Sequence, residues 1–286
     1  MSNPLTLAPG TLTCYFVRHG ERIDHVDDAW KDTAQVPYDP PLTAHGKMQA
    51  YATGSLIYDY ETAPSAAHAK GIRDTDYLVL TSPFLRCAQT AELIAQGLQD
   101  RHQGQQQPIS VGVAVEPGLC ELMNDTYFDS QVPHALIGQR TAEIKDGWVC
   151  SNMAYNAQYQ VARDELPQFP EHFQDMMARF VSTLDHVATQ VIGRQARERM
   201  VAGPGSAVGR RRMVVIMVTH GAGVGSLLWA TTLKPGFNDV DYCALTRAEA
   251  TARRHTQPLP PFGSSRIPAF SWTVGPRAHT QHLAKL

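Results

Sequence analysis

Two apolar runs in the sequence each lead into a histidine followed by a glycine. Residues 14–17 precede this pattern at His19, and residues 213–218 precede it at His220. An imidazole nitrogen can attack phosphorus and form a covalent intermediate, which divides one difficult displacement into two easier ones. An ordinary strand exit with a solvated side chain explains either stretch taken alone. The chemical interpretation therefore depends on whether the rest of the chain supplies partners.

Further ionisable residues follow strand-like segments in the same way. They are Arg18 and Arg22 beside the first histidine, Arg86 early in an expected helix, and Glu121 after a third apolar run. A guanidinium fork binds two phosphate oxygens at once and stays charged at any working pH. Taken singly, Arg86 reads as an exposed arginine and Glu121 as a surface carboxylate. Together with the two imidazoles, the arginines predict a pocket for a phosphate dianion.

Apolar periodicity predicts strands that alternate with helices. Strands are expected at 14–17, 77–81, 109–115 and 213–218, and helices at 44–56 after a Thr43 N-cap, 82–99, 170–191 and 226–232. The 82–99 helix is expected to begin with Ser82 as its cap, and apolar residues on one face of the 44–56 helix include Met48 and Leu56. Alternation of this kind is typical of an α/β fold with a mainly parallel sheet, whose carboxyl ends share one edge. We therefore expect the candidate residues to converge there.

We expect one domain that spans residues 1–286, with its core at about 12–250, and we expect the remaining segments to be loops, insertions and edge strands of this domain. Residues 23–41 predict a surface loop beside the site, and residues 122–170 an insertion that forms a lid or substrate wall. Residues 194–212 are rich in arginine and predict a flexible, solvated loop, with an acidic partner or nucleic acid as the sharper alternative. Edge strands are expected at 242–245 and 270–274, followed by a loosely held tail.

Composition limits the class of protein. The chain has 286 residues, of which 43% are hydrophobic, and a net charge of -2, so it can bury a full core and has no global basic field for nucleic acid. Its five cysteines include no CxxC pair, which favours free thiols in a reducing compartment. No run approaches the roughly 18 apolar residues of a membrane span. We expect a soluble protein of the cytoplasm or nucleus.

Several motifs carry a family resemblance. Residues 18–21 (RHGE) resemble the RHG signature of the histidine phosphatase (phosphoglycerate mutase-like) superfamily, residues 82–91 (SPFLRCAQTA) its second-arginine motif, and residues 218–221 (VTHG) its second histidine motif. Within that superfamily, the phosphatase domain of the suppressor of T-cell receptor signalling proteins is the most similar branch, through Arg22, residues 39–50 and residues 115–121. The resemblance covers about residues 12–235 and implies a three-layer α/β/α fold.

The resemblance also implies a role for each site residue. His19 would be the nucleophile that becomes phosphorylated, and the phosphoryl oxygens would be bound by Arg18, Arg22, Arg86 and His220. Glu121 would protonate the leaving oxygen and then act as base for the attacking water. Leu122 departs from the relatives, which have an aromatic residue after this glutamate. Because the sequence has no P-loop and no dense carboxylate cluster, we expect catalysis without a metal or other cofactor.

Three functional hypotheses follow. The first is a metal-independent phosphomonoesterase that acts on aryl phosphates such as phosphotyrosine, carried by a small molecule or a phosphoprotein. The second is an interaction subunit of a larger complex, with little or no activity, since a fungal relative belongs to an RNA polymerase III transcription factor. The third is a mutase of the phosphoglycerate type. A homodimer or a subunit of a larger assembly is the expected partner arrangement, with no membrane partner.

Overall fold

The computed structural model describes residues 11–63, 75–105, 109–146, 154–202, 212–234, 240–252, 270–275, 277, 279–284 and 286. Its strands are β1 (Thr11–Arg18), β2 (Thr75–Thr81), β3 (Ile109–Val115), β4 (Ala154–Tyr155), β5 (Arg212–Thr219), β6 (Leu245–Ala252) and β7 (Phe270–Val274). Its α-helices are α1 (Trp30–Thr33), α2 (Ala44–Thr62), α3 (Leu85–His102), α4 (Ala135–Lys145), α5 (Phe173–Ala202) and α6 (Gly221–Thr232).

The described strands form one mixed sheet in the order β4-β3-β2-β5-β1-β6-β7. The first five in this order run parallel, whereas β6 is antiparallel to both β1 and β7. In the parallel part, Thr81 is in register with both Val115 and Val218, and Arg18 with Thr219. The carboxyl ends therefore lie level, and the segments that follow them meet at one edge. The predicted α/β fold with a mainly parallel sheet is confirmed.

Helices cover both faces of the sheet. Alternate residues of β1 point to opposite sides, so Leu12, Cys14 and Phe16 pack on α5 and α6. Tyr15 and Val17 pack on the other side, against α2 and α3. Nearly every residue of the central strands is buried, as is usual for a parallel sheet covered on both sides. The result is a three-layer α/β/α arrangement.

The predicted arginine-rich loop at 194–212 is wrong in its first part. Residues 194–202 continue α5, which reaches Ala202, and Arg212 already belongs to β5. These residues are mostly good helix formers, and Arg194 pairs with Glu198 one turn later at 2.8 Å. Arg194 and Arg197, two of the arginines that suggested a solvated loop, thus lie on the exposed side of a long helix. Residues 203–211 lie outside the described part of the chain.

Helix starts differ from the sequence-based expectations at two places that matter for the site. Helix α6 begins at Gly221 and not at Ser226, so His220 occupies its N-cap position. Helix α3 begins at Leu85, and Ser82 does not cap it. The amide of Leu85 instead donates to Oδ1 of Asp39 at 2.6 Å, a partner far away in sequence. In contrast, the Thr43 cap of α2 is confirmed, since its hydroxyl accepts from the Gly46 amide at 2.9 Å.

The buried face of α2 also differs from the predicted one. Met48 is 49% exposed, whereas Ala50, Gly54 and Ile57 are buried. A residue without a side chain is required at Gly54 because α2 and α3 pack closely. A Cβ on Gly54 would lie 2.2 Å from the carbonyl oxygen of Ile94. The close backbone approach thus selects Gly54 on the inner face, where Ile57 also packs into the core.

The C-terminal region is more tightly tied than predicted. β6 extends from Leu245 to Ala252 in the interior of the sheet, so of the two edge strands predicted for the C-terminal region only the second, β7, lies at an edge of the described sheet. Residues 279–284, expected as a loose tail, include His279, which pairs with Leu245, and His282, whose Nε2 lies 2.9 Å from the hydroxyl of Thr53. Residues 253–269 are outside the described residues.

Residues 122–170 contain α4 and β4. Apolar side chains of this segment form a third cluster with the start of α3, made of Phe84, Cys120, Met123, Phe128, Val132, Leu136 and Leu166. The segment thus packs beside the carboxyl edge of the sheet. Within the described chain, no helix is long and apolar enough to cross a membrane, and Cys14, Cys87, Cys120 and Cys243 are free thiols.

Gly20 is required by a close backbone approach, and its replacement tests the packing of β1 against α2. A Cβ at this position would lie 2.5 Å from the carbonyl oxygen of Gly46. Gly20→Ala is expected to lower the free energy of unfolding in urea by about 1–3 kcal/mol. Gly138→Ala is the control, because a Cβ there meets no described atom within 4 Å. That variant should gain up to ~1 kcal/mol from helix propensity; equal effects of the two would contradict the close-approach argument.

Candidate active site

His19 lies at the carboxyl end of β1 and is 1% exposed. Its amide donates to the carbonyl of Thr219 at 2.9 Å, which ties it to β5. Its Nδ1 lies 2.8 Å from the carbonyl oxygen of Gly20. Since a carbonyl only accepts, Nδ1 carries the proton and Nε2 keeps its lone pair. Burial and the nearby charges of Arg86, His220 and Arg18 hold the pKa of His19 well below its usual value. The ring is therefore neutral and nucleophilic at physiological pH.

Arg86 presents donors that the protein does not use. It is 2% exposed, and its Nε and Nη1 are buried without an acceptor among the described residues. Arg18, at the end of β1, likewise has a buried Nε without such an acceptor, while its Nη1 donates to the carbonyl of Val240. Buried guanidinium donors are costly unless they are paired. Their natural partners are the oxygens of a bound anion.

His220 and Glu121 form a hydrogen-bonded pair. Nδ1 of His220 lies 3.1 Å from Oε2 of Glu121, and Nε2 lies 2.9 Å from the hydroxyl of Ser82. Nη2 of Arg86 lies 3.1 Å from the same Nδ1. A neutral ring satisfies both nitrogens in either tautomer: Nδ1 donates to Glu121 while Nε2 accepts from Ser82, or Nδ1 accepts from Arg86 while Nε2 donates to Ser82. The ring also meets that of His19 edge-on, with centroids 5.5 Å apart. The structure thus brings the two histidines of the two apolar runs into one site.

The electrostatic state of this pair bears on acid catalysis. Burial and the charge of Arg86 lower the pKa of His220 to about 4. Burial raises the pKa of Glu121, but the hydrogen bond with His220 and the charge of Arg86 outweigh this and hold that pKa well below its usual value. Oε2 of Glu121 also lies 3.8 Å from Nη2 of Arg86. Without a bound anion, Glu121 is therefore a carboxylate and carries no proton to donate.

Arg22 lies at the site but is largely committed to a neighbour. Its Nε and Nη2 donate to the two carboxylate oxygens of Asp24 at 2.6 and 2.5 Å. Lys31 approaches the same carboxylate at 3.7 Å. The fork that the sequence suggested for phosphate is thus occupied by Asp24, and the remaining Nη1 is the group that Arg22 has for a ligand.

A cavity of about 500 Å³ connects these residues. Its polar lining comprises Arg18, His19, Arg22, Asp24, His25, Lys31, Arg86, Glu121 and Thr126. Its apolar and aromatic lining comprises Pro37, Tyr38, Pro40, Tyr127, Phe128, Gly221, Ala222 and Val240. Both loops predicted to border a substrate, 23–41 and the 122–170 segment, therefore contribute a wall. Charged donors fill one end, and aromatic rings lie nearby.

Several residues of the site escaped the sequence analysis. The ring of Tyr242 stacks on the guanidinium of Arg18 at 4.3 Å from its centroid, and its centroid lies 5.7 Å from that of His19. The amide of Cys243 donates to the carbonyls of Arg18 and His19 at 3.1 and 3.2 Å, with the residue at a left-handed φ of 51°. The sequence near these residues does not indicate a site, because the turn before β6 reaches the site only when β6 pairs with β1.

Arg140 and Asp39 hold the start of α3 from outside. Nη2 of Arg140 donates to Asp39 at 2.6 Å, and its Nε donates to the carbonyl of Pro83 at 3.0 Å. Asp39 in turn accepts the Leu85 amide that opens α3. This buried ion pair fixes the first turn of α3, on which Arg86 stands.

Comparisons with known proteins give one partial family match and a likeness of fold. Residues 14–127 match the model of the Histidine phosphatase superfamily (branch 1). A search of curated proteins found no match. The solved ecdysone phosphate phosphatase of Bombix mori, in complex with tungstate, is 19% identical with a TM-score of 0.56, covering 90% of this chain and 97% of that chain. A phosphoglycerate mutase of Bacillus anthracis str. Sterne is 14% identical with a TM-score of 0.48, covering 97% of both chains. At these identities, the likeness to the first structure shows the fold alone.

Proposed function

We propose that this chain belongs to the histidine phosphatase superfamily and is a phosphomonoesterase that works through a phosphohistidine at His19. One observation carries the proposal: a neutral, buried imidazole shares a cavity with guanidinium N–H groups that have no acceptor among the described residues. A nucleophile for phosphorus and the donors for its oxygens are thus held in one cavity. The charge that develops in phosphoryl transfer is stabilised by such preorganised donors.

In the first step, Nε2 of His19 attacks phosphorus and the ester P–O bond breaks. Arg18 and Arg86 bind the phosphoryl oxygens, and the leaving oxygen takes a proton from Glu121. His220, whose ring nitrogens contact Glu121 and Ser82, holds Glu121 beside them. Because Glu121 is a carboxylate in the free enzyme, that proton must arrive with the substrate. A phosphate monoester has a second pKa of about 6, so its monoanion can deliver one proton as it binds. The dianion left in the pocket offsets Arg86 and raises the pKa of Glu121.

In the second step, Glu121 acts as a base. Having lost its proton to the alcohol or phenol, the carboxylate accepts a proton from water, whose oxygen attacks the phosphohistidine. The P–N bond breaks, and inorganic phosphate leaves with the proton that Glu121 took from water. His19 and Glu121 thereby return to the neutral ring and the carboxylate with which the cycle began. The phosphoryl charge is neutralised throughout by the guanidinium groups, so the scheme requires no metal.

We propose aryl phosphates, phosphotyrosine among them, as the substrate class. Tyr38, Tyr127 and Phe128 line the cavity together with two prolines, and they offer faces on which a phenyl leaving group can stack. Asp24 cancels part of the positive charge supplied by Arg22 and Lys31. This balance favours a single phosphate dianion on an uncharged leaving group over a phosphorylated sugar acid, which carries an extra carboxylate.

A substrate panel tests the proposal. In the presence of EDTA, the purified protein is expected to hydrolyse p-nitrophenyl phosphate and phosphotyrosine peptides, measured as released phosphate. Activity on phosphoserine peptides should be lower by about tenfold or more, since a lost aromatic contact and a poorer leaving group both slow the first step. Activity restricted to 3-phosphoglycerate would support a mutase instead. Stable partners in a pull-down, with no activity on any ester, would support the interaction subunit.

A further inference from the structure

One buried arginine of α5 donates hydrogen bonds to the main chain at Glu121 and just before it. Arg179 is 2% exposed, and its Nη1 donates to the carbonyls of Gly118 and Cys120 at 3.0 and 2.9 Å. Its Nη2 donates to the carbonyl of Glu121 itself at 3.3 Å. A single guanidinium thus contacts the turn that follows β3 at three carbonyls, and the last of these belongs to the proposed acid.

Glu171 fixes the orientation of the Arg179 side chain. Its two carboxylate oxygens accept from Nε and Nη2 of Arg179, both at 2.8 Å, in a bidentate ion pair. The same carboxylate accepts the amide of Met123 at 3.3 Å, and the amide of Glu171 donates to the carbonyl of Met123 at 2.6 Å. The pair therefore holds the chain before, at and two residues after Glu121.

These hydrogen bonds matter because acid catalysis depends on the position of the proton donor. A proton donor must lie within hydrogen-bond reach of the leaving oxygen, and a displacement of about 1 Å can cost about 10²-fold in rate. Glu121 stands on an irregular turn after β3, not inside a helix or strand. Arg179 connects that turn to α5, a helix of 30 residues packed on the sheet. Glu121 is thereby held by a rigid helix although it lies on an irregular turn.

We propose that Arg179, oriented by Glu171, is the positioning residue of the general acid Glu121. This inference rests on the proposed phosphatase reaction, in which Glu121 protonates the leaving oxygen. Arg179 touches neither the phosphoryl group nor His19 and acts only through the turn. Its loss should therefore matter in proportion to how much the leaving group needs a proton.

Arg179→Lys tests the inference by its dependence on the leaving group. Lysine keeps the charge beside Glu171 but has no planar fork to hold three carbonyls and a carboxylate together. For phenyl phosphate, whose leaving group needs protonation, we expect kcat/KM to fall about tenfold or more. For 2,4-dinitrophenyl phosphate, whose leaving group departs as a stable anion, we expect a change of less than about twofold. A plot of log kcat/KM against leaving-group pKa should thus become steeper.

Arg140→Lys is the matched control. Arg140 is also 2% exposed and ion-paired, but it holds Asp39 and the start of α3 rather than the acid's turn. Its replacement should slow both substrates by a similar factor. If Arg179→Lys also slows both substrates equally, the inference is overturned. Circular dichroism and thermal melts establish that each variant is folded, and Glu171→Gln, which weakens the same contacts from the other side, replaces Arg179→Lys if the latter does not fold.

Glu121→Gln separates failure of this inference from failure of the proposed function. If that variant shows the steep leaving-group dependence and Arg179→Lys does not, Arg179 is not a positioning residue while the phosphatase mechanism stands. If Glu121→Gln itself shows no such dependence, then Glu121 is not the acid, and this inference falls together with the role proposed for Glu121. Whether the chain is a phosphatase is decided separately, by the hydrolysis that the wild-type protein shows. A steep dependence in both variants, with Arg140→Lys flat, supports the inference.

Discussion

Replacement of His19 by alanine is expected to lower kcat for p-nitrophenyl phosphate by about four orders of magnitude or more, because it removes the atom that attacks phosphorus. The loss should appear with every substrate, including those with excellent leaving groups, because each must pass through the phosphohistidine. Wild-type enzyme quenched during turnover should carry a phosphoryl group that is stable in alkali and labile in acid. His19→Ala should carry none.

His25→Ala is the control for this experiment. His25 lines the same cavity, but its Nδ1 lies 2.5 Å from the hydroxyl of Tyr242. We expect its loss to change kcat by less than about tenfold, since it takes no covalent part in the reaction. Retention of a tenth or more of wild-type activity by His19→Ala would refute the mechanism. So would the same phosphorylated intermediate in that variant.

The strand ends of the site were predictable because their signal is local. A run of apolar residues that ends in a charged residue or histidine predicts where a buried parallel strand reaches the sheet edge, and the register of β1, β2, β3 and β5 brings those ends level. The sequence around Arg86 also predicted that this residue lies on the first turn of a helix. Convergence of the candidate residues thus followed from the α/β alternation alone.

Other parts of the site were not predictable because their partners are distant in sequence. Asp39 caps α3 from 46 residues away, and Arg179 holds the turn before Glu121 from 58 residues away. In the sequence, both read as ordinary charged residues of a loop and a helix. Ser82 illustrates the opposite error: its local pattern predicts a helix cap, but its hydroxyl is used by His220. Tertiary hydrogen bonding overrides a local preference worth only about 1 kcal/mol.

The protonation of Glu121 sets the expected pH dependence. Its pKa, held well below the usual value in the free enzyme, makes it a carboxylate over the working range, so the catalytic proton enters with the substrate monoanion. We therefore expect kcat/KM to fall about tenfold per pH unit above roughly pH 6, where the monoanion disappears. At the acid side, activity should be lost only below the usual pKa of histidine, because burial and nearby cations lower the pKa of His19.

Glu121→Gln should remove both the acid and this pH dependence. With phenyl phosphate, we expect kcat/KM to fall by about 10²- to 10⁴-fold, the typical contribution of a general acid. With 2,4-dinitrophenyl phosphate the first step should be nearly unaffected, and the decline above pH 6 should flatten, because glutamine needs no proton from the substrate. Initial rates for both esters between pH 4 and 9 measure this. If the decline persists unchanged in Glu121→Gln, the proton that the substrate brings is not delivered to Glu121, and another group must protonate the leaving oxygen.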